Sequence, residues 1–204
     1  MVVPAKYTGR LVLMTALSMA MAALALSEPW YSAELSEESA YGDMTLQKDT
    51  FYIDYYRVHP VTYSEVYKYP SDSQIKDVMS WERIIILAWL LIGLVFIGAC
   101  LVDFKELSVG SSIILLVIGI LAVVFFVGRL THALDYDSST GYFGLNYYDI
   151  PFIGSREVDS GRTVSGMPGL GFWFVFIATL IQVTVGVVKT KIEVFDRKSK
   201  PAPQ

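Results

Sequence analysis

The chain has 204 residues, 53% of them hydrophobic, with a mean hydropathy of +0.46, 16 basic and 20 acidic residues and a formal net charge of −4. So apolar a composition excludes an ordinary soluble domain and points to an integral membrane protein. The single cysteine, Cys100, excludes an intrachain disulfide, and no nucleic-acid partner is expected.

A helix needs about 20 mostly apolar residues to cross a hydrocarbon core of about 30 Å. Residues 1–10 carry Lys6 and Arg10 and read as a cytoplasmic N-terminus before a first apolar segment, 11–27. With its basic start and the small-x-small site Ala23-Leu24-Ala25, that segment also has the parts of a secretory signal. Cleavage near Ala25 and retention as a first membrane helix are the two readings. Retention is preferred, because the run extends toward Trp30 and Tyr31, aromatic residues suited to the outer interface.

Residues 28–83 read as an extracellular, β-rich segment. TFYIDYYRV (50–58) and VTYSEVYKY (61–69) are dense in strand-forming residues, and the second alternates apolar with polar positions. His59-Pro60 between them predicts a break, hence a hairpin, extended by strands near 29–35 and 43–47. Glu34, Glu37 and Glu38 read as a solvated acidic surface. Next come a second membrane segment, 84–102, a short cytoplasmic turn, 103–106, and a third membrane segment, 107–127. The second extracellular stretch, 128–169, is rich in turn-formers. GYFGLNYYDIPF (141–152) predicts one added strand, and GSREVDSGRTVSG (154–166) a mobile loop. A fourth segment, 170–188, and a basic cytoplasmic tail, 189–204, complete the chain.

Charge fixes the expected orientation. Residues 1–10, 103–109 and 189–204 hold eight basic side chains (Lys6, Arg10, Lys105, Lys189, Lys191, Arg197, Lys198, Lys200) against Asp103, Glu106, Glu193 and Asp196, a balance of +4 that leaves −8 for the rest. Lys and Arg in short flanking segments mark the cytoplasmic side, so both termini are expected inside a multi-pass cell-membrane protein. The expected fold is a four-transmembrane-helix bundle, membrane α-helical, with a small extracellular antiparallel β-sheet.

Few residues offer chemistry. Arg129 and His132 follow the third segment, where Arg129 can snorkel to headgroups or pair with Asp135 or Asp137. His59 and His132 lack metal-ligand spacing, and neither a nucleophile elbow nor a phosphate loop is present, so no enzyme activity, metal or cofactor is expected. Gln182 is the most deeply placed polar side chain, and an interhelical hydrogen bond worth on the order of 1 kcal/mol would satisfy it. Ala16, Ala20, Gly93, Gly98 and Gly119 would let helices approach closely. Cys100 reads as a small packing residue. Tyr52, Tyr55, Tyr56, Tyr63, Tyr67 and Tyr69 outnumber what one small sheet face needs, which makes them candidate partner contacts.

Three local features carry a resemblance: Pro29-Trp30 after the first segment, Arg83 at the entry of the second, and GLGFWF (169–174), containing Trp173, at the start of the fourth. With the order of helices and loops, they resemble the claudin and peripheral-myelin-protein superfamily of tetraspan proteins. The Gly-Leu-Trp motif and cysteine pair of the claudin branch are absent. The resemblance implies a non-catalytic protein with a structural, adhesion or assembly role through its extracellular sheet. Its partners would be the lipid bilayer and other membrane proteins or copies of itself. The alternative is an accessory subunit of a larger membrane enzyme or transporter.

Overall fold

The computed structural model describes residues 5–39, 42–60, 64–140, 145, 149–159 and 161–198, without the side chains of 5–7, 138–140, 159 and 193–198. In chain order the elements are α1 (Ala5–Ala25), β1 (Tyr31–Ser39), β2 (Gly42–Phe51), β3 (Tyr56–Pro60), β4 (Glu65–Tyr67), α2 (Gln74–Leu101), α3 (Lys105–Thr140), β5 (Gly154–Asp159), β6 (Arg162–Pro168) and α4 (Leu170–Lys198). Four helices are long and apolar enough to cross a membrane, and the strands form a separate six-stranded antiparallel sheet.

The helices run beyond the spans expected for a bilayer. At 36 residues, α3 is about 54 Å long at 1.5 Å per residue, against about 30 Å of hydrocarbon. α2 begins at Gln74 because Ser73, in an extended conformation, accepts from Lys76 N as an N-cap. Asp103, at φ 55°, turns the chain sharply from α2 into α3, and Phe104 N donates to Ala99 O at 2.8 Å across that turn. Leu91, Leu94, Ile113, Val117, Leu121 and Val124 lie exposed on these helices, as a bilayer-facing surface requires.

The sheet order is β4-β3-β2-β1-β6-β5. On the face turned to the helices, Tyr31, Ala33 and Leu35 of β1 lie opposite Phe51, Asp49 and Gln47 of β2, and opposite Pro168, Gly166 and Val164 of β6. The other parity is polar: Ser32, Glu34 and Ser36 oppose Thr50, Lys48 and Thr45, with Glu34 ion-paired to Lys48 at 3.5 Å. One hydrophobic core runs from the bundle into the sheet.

Four expectations for the connecting segments need correction. Residues 50–58 do not form one strand: β2 ends at Phe51, and a turn closed by Tyr52 N donating to Tyr55 O at 2.8 Å leads into β3. His59 and Pro60 are not a break but belong to β3, paired with Lys48 and Gln47. Proline stands here as the last residue of β3, where a missing N–H ends the ladder rather than interrupting it. Residues 154–166 are not a loop either. They build the β5–β6 hairpin around Gly161, whose φ of +84° makes the turn. β6 is held there by its pairing with β1, a long-range contact that composition cannot show. Of the strand expected over 141–152, residues 141–144 and 146–148 lie outside the described residues; Leu145 and residues 149–152 are not strand.

Candidate functional site

The stretches Pro29-Trp30 and 169–174, far apart in the chain, meet at the seam between bundle and sheet. Trp30 N donates to Phe51 O at 2.8 Å, Gly169 N to Trp30 O at 2.9 Å, and Gly171 N to Pro29 O at 2.8 Å. The Trp30 indole N–H closes the end of α1 by donating to Ala25 O at 2.7 Å. Glycine is required at this seam by close approach. A Cβ on Gly169 would overlap the Pro29 carbonyl, and one on Gly171 would lie 2.7 Å from Trp30 Cδ1. From Trp30 a train of rings leads into the sheet: Phe126 at 5.0 Å, then Phe172, Phe152, Tyr31 and Phe51 at successive separations of 5.5, 5.9, 6.0 and 6.0 Å. Tyr31 Oη donates to Pro151 O at 2.5 Å, which ties the second connecting stretch to β1.

The tyrosine cluster divides. Tyr56 is buried and stacks on Phe51 at 5.8 Å. Tyr69 stacks on Phe51 at 6.4 Å, and its hydroxyl donates to Tyr52 O at 2.9 Å. Burial raises the Tyr56 hydroxyl above its ordinary pKa of 10.0, with a further push from Asp49. The Tyr69 hydroxyl is raised well above the same value by burial first, then by Tyr56 and Asp137. Tyr52 and Tyr55 stack on each other at 4.5 Å, with the Arg57 guanidinium 5.4 and 5.6 Å from their ring centres. On β4, an edge strand of the sheet, Val66 and Tyr67 are 63% and 40% exposed. Tyr63 lies outside the described residues.

The polar residues on the helices have separate settings. The Gln182 amide nitrogen donates to Ser18 Oγ of α1, and Ser18 Oγ donates to Thr15 O at 2.8 Å. Thr179 Oγ1 reaches Gly119 O of α3 at 3.1 Å. Gly93 packs on Met19 and Gly119 on Trp89 and Thr179, whereas Gly98 faces open space and Ala16 and Ala20 are exposed. Arg129 lies exposed with its guanidinium 6.0 Å from the Phe125 ring. Of the alternatives for Arg129 (headgroups, Asp135 or Asp137), Asp137 is engaged elsewhere, buried at the start of α2. There its carboxylate accepts from Ser73 Oγ at 2.7 Å, Ile75 N at 2.9 Å and Gln74 N at 3.2 Å, an arrangement favoured by the unsatisfied N–H groups of a helix start. His132 Nδ1 lies 3.1 Å from Gln74 Oε1, so the start of α2 and the C-terminal part of α3 are joined twice. Arg83 ion-pairs with Asp54 in the β2–β3 turn. Trp173 is 42% exposed and packs edge-on against Phe176.

Sequence reasoning passed over Glu82. Its side chain is fully buried, and neither carboxyl oxygen has a hydrogen-bond partner among the described residues. The signal was present in the spacing: Glu82 continues the buried row Ile75, Val78, Met79, Ile86 and Trp89 at helical intervals. Among the described residues no group of three His, Cys, Asp or Glu side chains stands together to hold a metal ion. The arrangement offers a sheet packed on the helices, with exposed Val66 and Tyr67 on its edge strand β4. No protein-family model matches the chain, and no curated protein is detectably similar to it in sequence.

Proposed function

We propose that this chain is a non-catalytic tetraspan protein of the cell membrane that assembles with neighbours through its sheet. The observation that carries the reading is the aromatic margin of the sheet: the stacked pair Tyr52 and Tyr55 in the β2–β3 turn with Arg57 beside it, and exposed Val66 and Tyr67 on the edge strand β4. Tyrosine and arginine anchors dominate the energetics of protein interfaces. The sheet stands outside and both termini inside, in keeping with the Lys and Arg excess of residues 1–10 and 189–204. Exposed Trp81 and Trp173, near the sheet end of α2 and α4, then lie at headgroup depth. The order of one helix, four strands, two helices, two strands and one helix also supports kinship in layout with the claudin superfamily.

A second reading, an accessory subunit docked laterally on a larger membrane complex, draws support from Gly98, Ala16 and Ala20, small residues on exposed helix faces. Native mass spectrometry of the full chain, extracted gently from its own membrane, tests both. The triple substitution Tyr52→Ala, Tyr55→Ala and Tyr67→Ala should shift an oligomer toward single subunits. A complex that survives this change but dissociates with Gly98→Leu would favour the second reading. A wild-type monomer without partners would sink both.

A further inference from the structure

Glu82 lies on the buried row of α2, between residues that face the other way: Trp81 is 55% exposed, and Arg83 reaches out to Asp54. Both of its oxygens are enclosed without a donor among the described residues. Among the described residues, the ionisable groups on the helices and on the stretch before α2 are engaged or turned away, exposed Tyr136 included. On α3, Asp137 accepts from Ser73, Gln74 and Ile75, His132 meets Gln74, and Arg129 and Asp135 are exposed. The Tyr69 hydroxyl donates to Tyr52 O. α1 and the stretch after it have no ionisable side chain between Arg10 and Glu28, and α4 has none between Leu170 and Lys189. On α2 itself Lys76 is partly exposed, Asp77 is exposed, and the next ionisable side chains after Arg83 are Cys100 and Asp103.

We propose that Glu82 is a proton-binding site, a carboxylic acid held neutral inside the bundle near its sheet end. Among the described residues a charge at this position has neither a counter-charge nor a hydrogen-bond donor, and burying an unpaired carboxylate is strongly unfavourable. One proton added at either Oε removes the charge with no other group taking part. Because the side chain is fully buried, the proton can leave to water only when α2 parts from what covers Glu82, so proton release and that opening are one equilibrium. This goes beyond the assembly role and does not depend on it.

Infrared spectroscopy of the full chain in detergent micelles at neutral pH tests the assignment, because exposed carboxylates are ionised there. The expected result is a protonated-carboxyl C=O band that shifts in D2O and is lost completely in Glu82→Gln. Absence of the band from the wild type, or its persistence in folded Glu82→Gln, would overturn the proposal. Should Glu82→Gln fail to fold, labelling of the wild type with N,N′-dicyclohexylcarbodiimide decides. A carboxyl O–H adds across one C=N bond, oxygen to carbon and proton to nitrogen, and the product rearranges to an N-acylurea with no atom lost. Mapping should place the adduct on Glu82, with a yield falling roughly tenfold per pH unit once the group ionises. No adduct on the Glu82 peptide would reject the assignment.

Discussion

The seam around Trp30 and the interior of the helical bundle draw on the same kinds of side chain but settle their polar groups differently. At the seam the indole N–H, the backbone N–H of Trp30, Gly169 and Gly171, and the Tyr31 hydroxyl all find acceptors between 2.5 and 2.9 Å. In the bundle, Glu82 Oε1 and Oε2, Trp89 Nε1, Gln182 Oε1 and Thr15 Oγ1 are buried without partners among the described residues. The seam therefore fixes one geometry, whereas the bundle is held mainly by shape and tolerates loose polar ends. The platform should fail first where the seam is touched.

Trp30→Ala removes the hub of that geometry. It should cost about 3–5 kcal/mol, read as a large drop in thermal midpoint with early loss of sheet signal. Glycine substitutions sharpen the contrast. Gly169→Ala places a methyl against the Pro29 backbone, which cannot yield, and should destabilise by about 1–3 kcal/mol or more. Gly98→Ala, in open space on α2, should instead stabilise by up to about 1 kcal/mol. Asp137→Ala strips the start of α2 of its acceptor and should cost about 1–2 kcal/mol, with faster hydrogen exchange at residues 74–76. Gln182→Leu should change stability by less than about 1 kcal/mol, because it removes a single interhelical bond and an unpartnered oxygen together.

Alkaline titration separates the sheet from the bundle in another way. The hydroxyls of Tyr56 and Tyr69 have folded-state pKa values above the ordinary 10.0. Above pH 10 the unfolded chain therefore binds fewer protons than the folded one. Stability is fully present below that value and declines as the pH rises through it. Tyr69→Phe should flatten the decline in a pH series of thermal midpoints, while lowering stability at neutral pH by about 1 kcal/mol for the lost bond to Tyr52 O. A decline left unchanged in the variant would remove Tyr69 from the account.

The helices were legible because a stretch such as 107–127 is apolar at nearly every position, a pattern few structures other than a bilayer span use. The strands of the first connecting segment were legible in outline from their Tyr, Val and Thr content. β5 and β6 were not, since their Ser and Gly residues have low strand propensity and the hairpin is held by pairing to β1. The cap of Asp137 on α2 joins residues 62 to 64 apart in sequence and leaves no local trace. Glu82 was hidden differently: beside Trp81 and Arg83 it reads as one more interfacial residue, although helical spacing alone assigned it to the buried row. The close approach of Pro29 and Trp30 to Gly169 and Gly171 could be suspected only through the resemblance that singled out both stretches.

The central claim is that sheet and bundle form one unit closed at the seam. Hydrogen exchange of the full chain in micelles, read at Trp30, Gly169 and Gly171, tests it most directly. The account predicts that these three amides exchange only in the global opening that releases β1 and the helix cores together. Exchange at the seam far faster than in β1, with the helices still protected, would show two loosely tethered parts and contradict it.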